Sequence, residues 1–207
     1  MPEPFLRHTG LAARLMRDNI DTDQIIPSRE MKTVSRDGLS DGLFAGWRYL
    51  KPGTRDIDPD FVLNQPEQAG TTILISGQNF GCGSSREHAV WALKEFGIRA
   101  VVAESFGEIF HGNCLRNGIL PISLSHEVMA PIVETPEPIS LTIDLVQQSL
   151  ACEQIADWSA RFDIDDFAKR LLTEGLDPIS LTLKEEAHIH AFLSRDAGDR
   201  PWIYSAG

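Results

Sequence analysis

The spacing of apolar residues is most regular in the middle of the chain. Short apolar, β-branched runs there predict buried strands at 71–76, 99–103 and 119–122. The segments between them predict helices at about 86–96 and 105–117. In the first helix Ala89, Leu93 and Phe96 share one face. Strands that alternate with helices at this spacing are typical of parallel strands with helical crossovers, so the sequence predicts an α/β fold with a parallel βαβαβ core.

The flanks of this core have weaker patterns. Residues 10–26 predict extended segments on either side of a polar turn. After a proline-rich bend, two β-like runs occur near 139–146 and 149–155. The period then becomes helical, with helices predicted at 164–174 and about 184–194. We therefore expect the fold to end in C-terminal helices.

Residues 35–60 carry no clear period. Glycine, aspartate and arginine are spread through the segment, which is long for a connection without structure of its own. Phe44, Trp47 and Tyr49 are its large apolar side chains. We expect a surface excursion that these three rings anchor to the body of the protein.

Composition limits the classes of protein to consider. The chain has 207 residues with 42% apolar and 24% charged positions, which favours one globular domain spanning 1–207. Its formal net charge of −11 provides no basic surplus for phosphates, so nucleic-acid binding is not expected. No stretch approaches the roughly 20 apolar residues of a membrane span. A cytoplasmic protein without membrane association is therefore expected.

The sequence offers few residues for a metal site. Cys82, Cys114 and Cys152 are scattered without C-x-x-C spacing, so this chain alone is not expected to bind zinc or an iron–sulfur cluster. An odd number of cysteines also argues against a disulfide scaffold. The acidic stretch Asp18–Asp23 lacks the central glycine and distal glutamate of a calcium loop. We expect a turn in which side chains bond to the backbone.

A glycine-rich turn at 77–85 follows the first predicted strand of the core. Gly81-x-Gly83 begins like a dinucleotide-binding fingerprint, but Arg86 stands where the third glycine would allow helix and strand to pack closely. Cys82 is a second candidate, as a thiolate nucleophile with His88 or His111 as its base. We favour a small turn residue at this position.

The third interpretation of the turn is an anion site. Backbone N–H groups at the start of the following helix are unpaired and carry the positive end of the helix dipole. Ser84 and Ser85 add hydroxyl groups, and Arg86 adds a planar fork suited to a carboxylate. We expect a small carboxylic acid to bind to these three residues. The alternative is that the serines only cap the helix and Arg86 pairs with solvent or Glu87.

Residues 79–89 closely resemble the signature of the small subunit of 3-isopropylmalate dehydratase, the swivelling domain of the aconitase superfamily. The string is Asn-Phe-Gly-Cys-Gly-Ser-Ser-Arg-Glu-His-Ala. Further similar strings occur in order at 21–27, 59–64, 117–121 and 175–177. The resemblance covers nearly the whole chain, and it implies an aconitase-type swivelling β/β/α domain.

The resemblance also implies a reaction and a partner. A large subunit would carry a 4Fe–4S cluster, and the pair would interconvert 2-isopropylmalate and 3-isopropylmalate through an unsaturated diacid in leucine biosynthesis. In this chain Ser84 would be the catalytic base. Ser85 and Arg86 would bind the carboxylates of the dicarboxylate substrate, and Arg36 in the early loop would add another contact. No cofactor is expected in this chain itself.

The early loop departs from the pattern of the family. Asp37 follows Arg36 where many members have threonine, and the preceding residues, including Lys32 and Thr33, are more charged or polar than usual. The resemblance implies that Lys32, Thr33 and Asp37 contact the side group of the substrate and determine which group is accepted. A related diacid hydratase, of the methylmalate/citraconate or homoaconitate type, is therefore an alternative. A stand-alone carboxylate-binding module is the alternative from another class.

Overall fold

A computed structural model describes residues 3–31, 38–83 and 86–204 of the chain. The strands are β1 (Arg7–Leu15), β2 (Ile73–Ser76), β3 (Ala100–Ala103), β4 (Leu120–Ser123), β5 (Ile139–Asp144), β6 (Ser149–Cys152) and β7 (Ser159–Arg161). The α-helices are α1 (Thr22–Ile25), α2 (Ala45–Arg48), α3 (Glu87–Phe96), α4 (Glu108–Asn117), α5 (His126–Glu134), α6 (Asp166–Glu174), α7 (Pro178–Leu183), α8 (Glu186–Asp199) and α9 (Pro201–Tyr204).

Within the described residues the strands form one mixed sheet in the order β4-β3-β2-β1-β5-β6-β7. Strands β1 to β4 are parallel neighbours, and β5 joins β1 in antiparallel pairing, followed by β6 and β7. The predicted α/β fold with its βαβαβ core is confirmed in β2-α3-β3-α4-β4. The antiparallel half follows from the short connections between β5, β6 and β7, which cannot hold a helical crossover.

Both faces of the central strands are buried. All four residues of β2 are buried, with Ile73 and Ile75 in one hydrophobic cluster and Leu74 in another. Because successive strand residues point to opposite faces, the two clusters lie on opposite sides of the sheet. One cluster includes residues of α3 and α4, and the other includes residues of α5 and α6.

The ends of the two core helices follow the predicted glycines. Gly97 and Gly118 end α3 and α4 in the left-handed region, with φ of 108° and 81°. The start of α4 differs from the prediction, because the helix begins at Glu108 and not at Ser105. Ser105 instead accepts a backbone hydrogen bond from Phe80 through its carbonyl, at 2.9 Å. The hydrogen bond from the glycine turn thus keeps Ser105 outside the helix that was predicted to begin there.

The prediction of a proline-rich bend after β4 was wrong, because the first part of this segment forms helix α5. Pro131 lies inside this helix, where it lacks the N–H that would bond to the preceding turn. Met129 and Ile132 are buried against the sheet, and their burial outweighs the missing bond. Helix α7 and strand β7 were also not predicted. Helices α6 and α8 confirm the predicted C-terminal helices.

The excursion after residue 37 is anchored as expected, over its described part from 38 to 60. Phe44 and Tyr49 are buried, and Trp47 packs against the same cluster. The rings of Phe44 and Trp47 stack with centroids 5.8 Å apart.

Over the described ranges, no helix combines the length and the apolar character that a membrane span requires.

Candidate functional site

The carboxyl ends of the parallel strands bring three loops together. They follow β1, β2 and β3, at 16–21, 77–83 and 104–107. The backbone N–H of Gly81 donates to the carbonyl of Ile20 at 2.7 Å, and that of Phe80 donates to Ser105 at 2.9 Å. The turn between β2 and α3 is therefore bonded on both sides. In open α/β sheets this edge is where ligands bind.

Close packing explains the glycines of this turn. Gly81 has φ of +74°, and a Cβ there would lie 2.1 Å from the ring of Phe110, which is buried. Gly107 has ordinary dihedral angles, but its Cβ would lie 2.6 Å from the carbonyl oxygen of Gly81. Glycine is thus needed at position 81 because its backbone lies against the ring of Phe110, and at position 107 because its backbone lies against that of Gly81.

Arg86 lies at the N-cap of α3 with an extended backbone, at φ of −131°. Its Nη1 donates to the carboxylate of Asp23 and to Oγ of Ser28, the latter at 2.9 Å. The side chain is 24% exposed. The alternative pairing with solvent or Glu87 is therefore wrong, because Arg86 pairs with a carboxylate from another loop. The N-cap of the helix is Arg86, and its side chain makes no capping hydrogen bond.

A capping box fixes the loop that presents Asp23. Oδ1 of Asp21 accepts from the backbone N–H of Gln24 at 2.7 Å, while the side chain of Gln24 accepts from the N–H of Asp21 at 2.9 Å. Ser28 donates to Oδ1 of Asp23 at 3.0 Å. The extended segment predicted at Ile25 is thus wrong, because the capping box starts the short helix α1 here.

The acidic turn before α1 is satisfied by hydrogen bonds, as predicted. Asp18 accepts from the backbone N–H of Gln78 at 2.8 Å, and Asp21 accepts within its capping box. The two carboxylates thus accept hydrogen bonds from different segments of the backbone. In residues 3–31, 38–83 and 86–204, no group of three or more His, Cys, Asp or Glu side chains is arranged to hold a metal ion.

Two clefts meet at Arg86. The first has a volume of about 260 Å³, and its lining combines the glycine turn with the start of α4: Thr22, Asn79, Gly81, Cys82, Gly83, Arg86, Gly107, Glu108, Ile109 and Phe110. The second, of about 410 Å³, is lined by Asp23, Gln24, Pro27, Ser28, Arg29, Gly46 and Trp47. Arg86 lines the first cleft, and its guanidinium bonds to Asp23 and Ser28 of the second, so this residue connects the two.

Cys82 does not have the surroundings of a nucleophile. Burial, and after it the carboxylate of Asp21, raise the pKa of the Cys82 thiol. Burial lowers the pKa of His111, whose ring packs edge-on against Phe106 at 5.8 Å, and the ring of His88 packs on Trp91 at 4.7 Å. Neither imidazole is hydrogen-bonded to Cys82 among the described contacts. The favoured interpretation as a small turn residue agrees with this geometry.

The other predicted site residues lie outside the described residues. They are Ser84, Ser85, Arg36, Lys32, Thr33 and Asp37. The structure does describe what flanks them. Gly83 and Arg86 lie on either side of the two serines, and the early loop re-enters the described chain at Gly38.

Sequence reasoning missed the residues that hold the site from a distance. Asp23 and Ser28 are the partners of Arg86, although they lie 63 and 58 positions away from it. Glu95 accepts backbone hydrogen bonds from residues 38 to 40. An available signal was the pair of aspartates at 21 and 23, with Gln24 completing a capping box just after a strand. No local signal pointed to Glu95.

The chain is similar to known proteins over most of its length. Residues 2–127 match the model of the aconitase C-terminal domain. A relative from Cupriavidus necator, named 3-isopropylmalate dehydratase small subunit, is 54% identical over 209 residues, covering 99% of this chain and 100% of the relative. A relative of the same name from Geobacillus kaustophilus (strain HTA426) is 47% identical over 195 residues, covering 93% of this chain and 97% of the relative.

A solved structure gives the same result. The crystal structure of 3-isopropylmalate dehydratase from Methanocaldococcus jannaschii is similar with a TM-score of 0.65 and 28% identity. The match covers 90% of this chain and 98% of that one. The aconitase-type fold expected from residues 79–89 is thereby confirmed.

Proposed function

The chain belongs to the family of 3-isopropylmalate dehydratase small subunits, and we propose that it is the small subunit of such a hydro-lyase. The reaction interconverts 2-isopropylmalate and 3-isopropylmalate by dehydration and rehydration in leucine biosynthesis. A stand-alone binding module and a related diacid hydratase are not favoured. Both relatives are named 3-isopropylmalate dehydratase small subunit, and both match this chain over nearly their full length. We further propose that residues 1–207 form one domain and act in the cytoplasm.

The pairing of Arg86 with a carboxylate is the observation that supports this function best. The guanidinium already binds the carboxylate of Asp23, and Arg86 connects the two clefts. A substrate carboxylate presents the same chemical group to the same donor. Gly81 and Gly107 line the same cleft as Arg86, and neither position has room for a Cβ. This pairing supports the proposal that Arg86, together with Ser84 and Ser85, binds a small carboxylic acid.

Each of the four site residues has one role in the proposal. The Ser84 alkoxide takes the proton from the substrate carbon that becomes part of the double bond, and the electron pair of that C–H bond forms the double bond as the C–O bond breaks. The departing hydroxide takes up a proton from solvent and leaves as water, and Ser84 returns its proton to solvent. Ser85, Arg86 and Arg36 bind the carboxylates. Removing a proton beside a carboxylate adds negative charge to a group that is already charged, so fixed cations lower the energy of the transition state.

A serine is a weak base unless its alkoxide is stabilised. The start of α3 is close in sequence to Ser84, and the positive end of a helix dipole favours an anion there. The Arg86 guanidinium, which is shared with Asp23, adds a cation near this end of the helix. Both effects lower the pKa of a hydroxyl, which is the requirement for general-base catalysis by serine.

This chain's residues do not fit an iron–sulfur cluster. Cys114 and Cys152 are buried in the two different hydrophobic clusters, and Cys82 lies in the glycine turn. Such clusters are held by several cysteine thiolates at one place. We therefore assign the 4Fe–4S cluster to a large-subunit partner. The existence of such a partner is implied by the name of the relatives, which are small subunits.

Substrate preference is assigned to the early loop. In the proposal Lys32, Thr33 and Asp37 contact the side group of the substrate, while Arg36 contacts a carboxylate. The malate core is common to all substrates of this class, so only the residues around the side group can select among them. Isopropyl is the group that the family name indicates.

Reconstitution tests the proposal. The purified chain is mixed with a purified large subunit carrying its cluster, and hydration of the unsaturated diacid is followed by the loss of its absorbance. We expect no turnover from either subunit alone and turnover from the mixture. Comparing isopropylmalate with methylmalate identifies the side group. Turnover by the isolated chain, or none by the mixture, would contradict the assignment.

A further inference from the structure

The side-chain amide of Asn117 joins the last residue of α4 to the first two turns of α3. Its Nδ2 donates to Oε1 of Glu87 at 2.9 Å, and its Oδ1 accepts from the indole N–H of Trp91 at 3.1 Å. Nδ2 also donates to the carbonyl of Asn113 at 2.9 Å. Asn117 is only 6% exposed, so its amide depends on these protein partners. The amide therefore fixes where the Glu87 side chain lies.

Glu87 is the acid nearest in sequence to Arg86. It is the first residue of α3, and Arg86 is the N-cap directly before it, with an extended backbone outside the helix. Adjacent Cα atoms lie about 3.8 Å apart, and a carboxylate within about 4–6 Å of a cation attracts it. In the structure, however, Arg86 bonds to Asp23 and Ser28. Glu87 bonds to Asn117 instead, so the two neighbours have separate partners.

The guanidinium of Arg86 keeps one edge for a further carboxylate. Its Nη1 makes both of the bonds to Asp23 and Ser28. Within the part of the chain that the structure describes, its Nε and Nη2 donate no hydrogen bond. These two groups form one side of the planar fork, which can bind a carboxylate through two parallel bonds. A second protein carboxylate on this side would occupy the donors that a substrate carboxylate needs.

We propose that Asn117 is a positioning residue that holds the Glu87 carboxylate between α3 and α4 and so leaves the Nε–Nη2 side of Arg86 to the substrate. The inference depends on the proposed function, in which Arg86 binds a carboxylate of the substrate. Asn117 makes no contact with the substrate in this account, and it acts only by restraining a competing anion. Loss of Asn117 therefore weakens substrate binding and leaves proton transfer unchanged.

The test is a double-mutant cycle in the complex reconstituted with the large subunit. Asn117→Leu has a side chain of similar size but no donor for Glu87. We expect KM for isopropylmalate to rise about three- to fivefold with little change in kcat, the upper part of the range for one partly exposed ion pair. Glu87→Gln alone should leave KM near that of wild type. Added to Asn117→Leu, it should restore KM, because an amide carries no charge for Arg86.

Gln68→Leu is the matched control for the loss of a buried amide. Gln68 is 2% exposed, and its Nε2 donates to Oε2 of Glu137 at 2.9 Å. The carboxylate of Glu137 bonds to Arg14, so its release does not affect Arg86. We expect Gln68→Leu to lower the urea midpoint but not to change KM. Asn117→Asp is the second variant if leucine prevents folding, and it should raise KM in the same way, because its carboxylate repels that of Glu87.

The outcomes distinguish this inference from the proposed function. An unchanged KM in the Asn117 variants, an equal rise in Gln68→Leu, or a rise that Glu87→Gln does not reverse would overturn the inference. The dehydratase assignment would stand in each of these cases. If the wild-type complex showed no turnover at all, both would fall.

A second measurement does not depend on activity. Phenylglyoxal reacts with arginine side chains, and mass spectrometry of the digested full chain gives the rate of modification at Arg86. We expect Asn117→Leu to be modified there several-fold more slowly than wild type, because the released Glu87 carboxylate covers the Nε–Nη2 side. Asn117→Leu combined with Glu87→Gln should return to the wild-type rate. Equal rates in all three proteins would show that Asn117 does not keep Glu87 from Arg86.

Discussion

The close packing of the glycine turn can be tested with three alanine substitutions. Gly97→Ala places a Cβ at φ of +108° in open space, so it measures backbone strain alone. Gly107→Ala has ordinary dihedral angles, but its Cβ meets the carbonyl oxygen of Gly81 at 2.6 Å. Gly81→Ala combines φ of +74° with a Cβ 2.1 Å from the ring of Phe110. The series therefore separates strain from overlap.

The expected magnitudes follow from these geometries. The left-handed conformation costs a residue with a Cβ about 1–2 kcal/mol, which is the expectation for Gly97→Ala. Overpacking costs about 1–3 kcal/mol, which is the expectation for Gly107→Ala. Gly81→Ala has both costs, and its free energy of unfolding should fall by about 2–5 kcal/mol. Phe110 cannot move aside easily, because it is buried and packs against Phe80 with centroids 5.4 Å apart.

The assay is urea denaturation of the full chain, followed by tryptophan fluorescence. With an m value of about 2 kcal/mol/M, the midpoint of Gly81→Ala should fall by about 1–2.5 M. In the reconstituted complex, Gly81→Ala should also lower turnover more than Gly97→Ala, which is at the far end of α3. A midpoint for Gly81→Ala equal to that of Gly97→Ala would refute the reasoning, because it would mean that the close approach of Phe110 costs nothing.

Three further predictions concern the site and the carboxylate of Glu95. Arg86→Lys should leave the urea midpoint nearly unchanged but lower kcat/KM about 10- to 100-fold in steady-state kinetics, because a lysine cannot bind a carboxylate in bidentate fashion. Cys82→Ser should keep near-normal turnover, because the raised pKa of the Cys82 thiol disfavours the thiolate that a nucleophile needs. Burial raises the pKa of Glu95, but the hydrogen bonds from the backbone N–H groups of residues 38–40 together outweigh it. Because the pKa of Glu95 is lowered by folding, the unfolded chain binds more protons than the folded chain as the pH falls. The contribution of the Glu95 carboxylate to the free energy of unfolding is therefore complete above the unfolded pKa and is lost as the pH falls through the folded pKa. The urea midpoint of wild type should therefore decline more on acidification than that of Glu95→Gln.

The central elements could be predicted from sequence because their signals are local. The strand at Ile73–Ser76 is short, apolar and β-branched, and the helix after it ends at Gly97 where the periodic pattern stops. Both signals are produced by residues within a few positions of each other. Helix α5 was missed because Pro131 is a strong local signal for a break, whereas burial of Met129 and Ile132 depends on the distant sheet.

The residues of the site likewise divide into those with a local sequence signal and those whose contacts depend on distant parts of the chain. Arg86 was predicted from its place at the start of a helix after a glycine turn, which is a local pattern. Its partner Asp23 depends on how β1 and β2 pair, and Glu95 depends on the return of the early loop to α3. These contacts span more than 50 residues, and periodicity carries no information about them. Spacing alone therefore indicates which residues bind a carboxylate but does not identify what positions them.

The most direct test of the account is the turnover of the reconstituted complex that carries Ser84→Ala. In the proposed mechanism Ser84 transfers the proton, while Ser85, Arg86 and Arg36 bind the carboxylates. We expect kcat to fall by about 10²- to 10⁴-fold, the usual contribution of a general base, while KM for isopropylmalate changes little. Turnover close to that of wild type would show that the base lies elsewhere and would contradict the central claim.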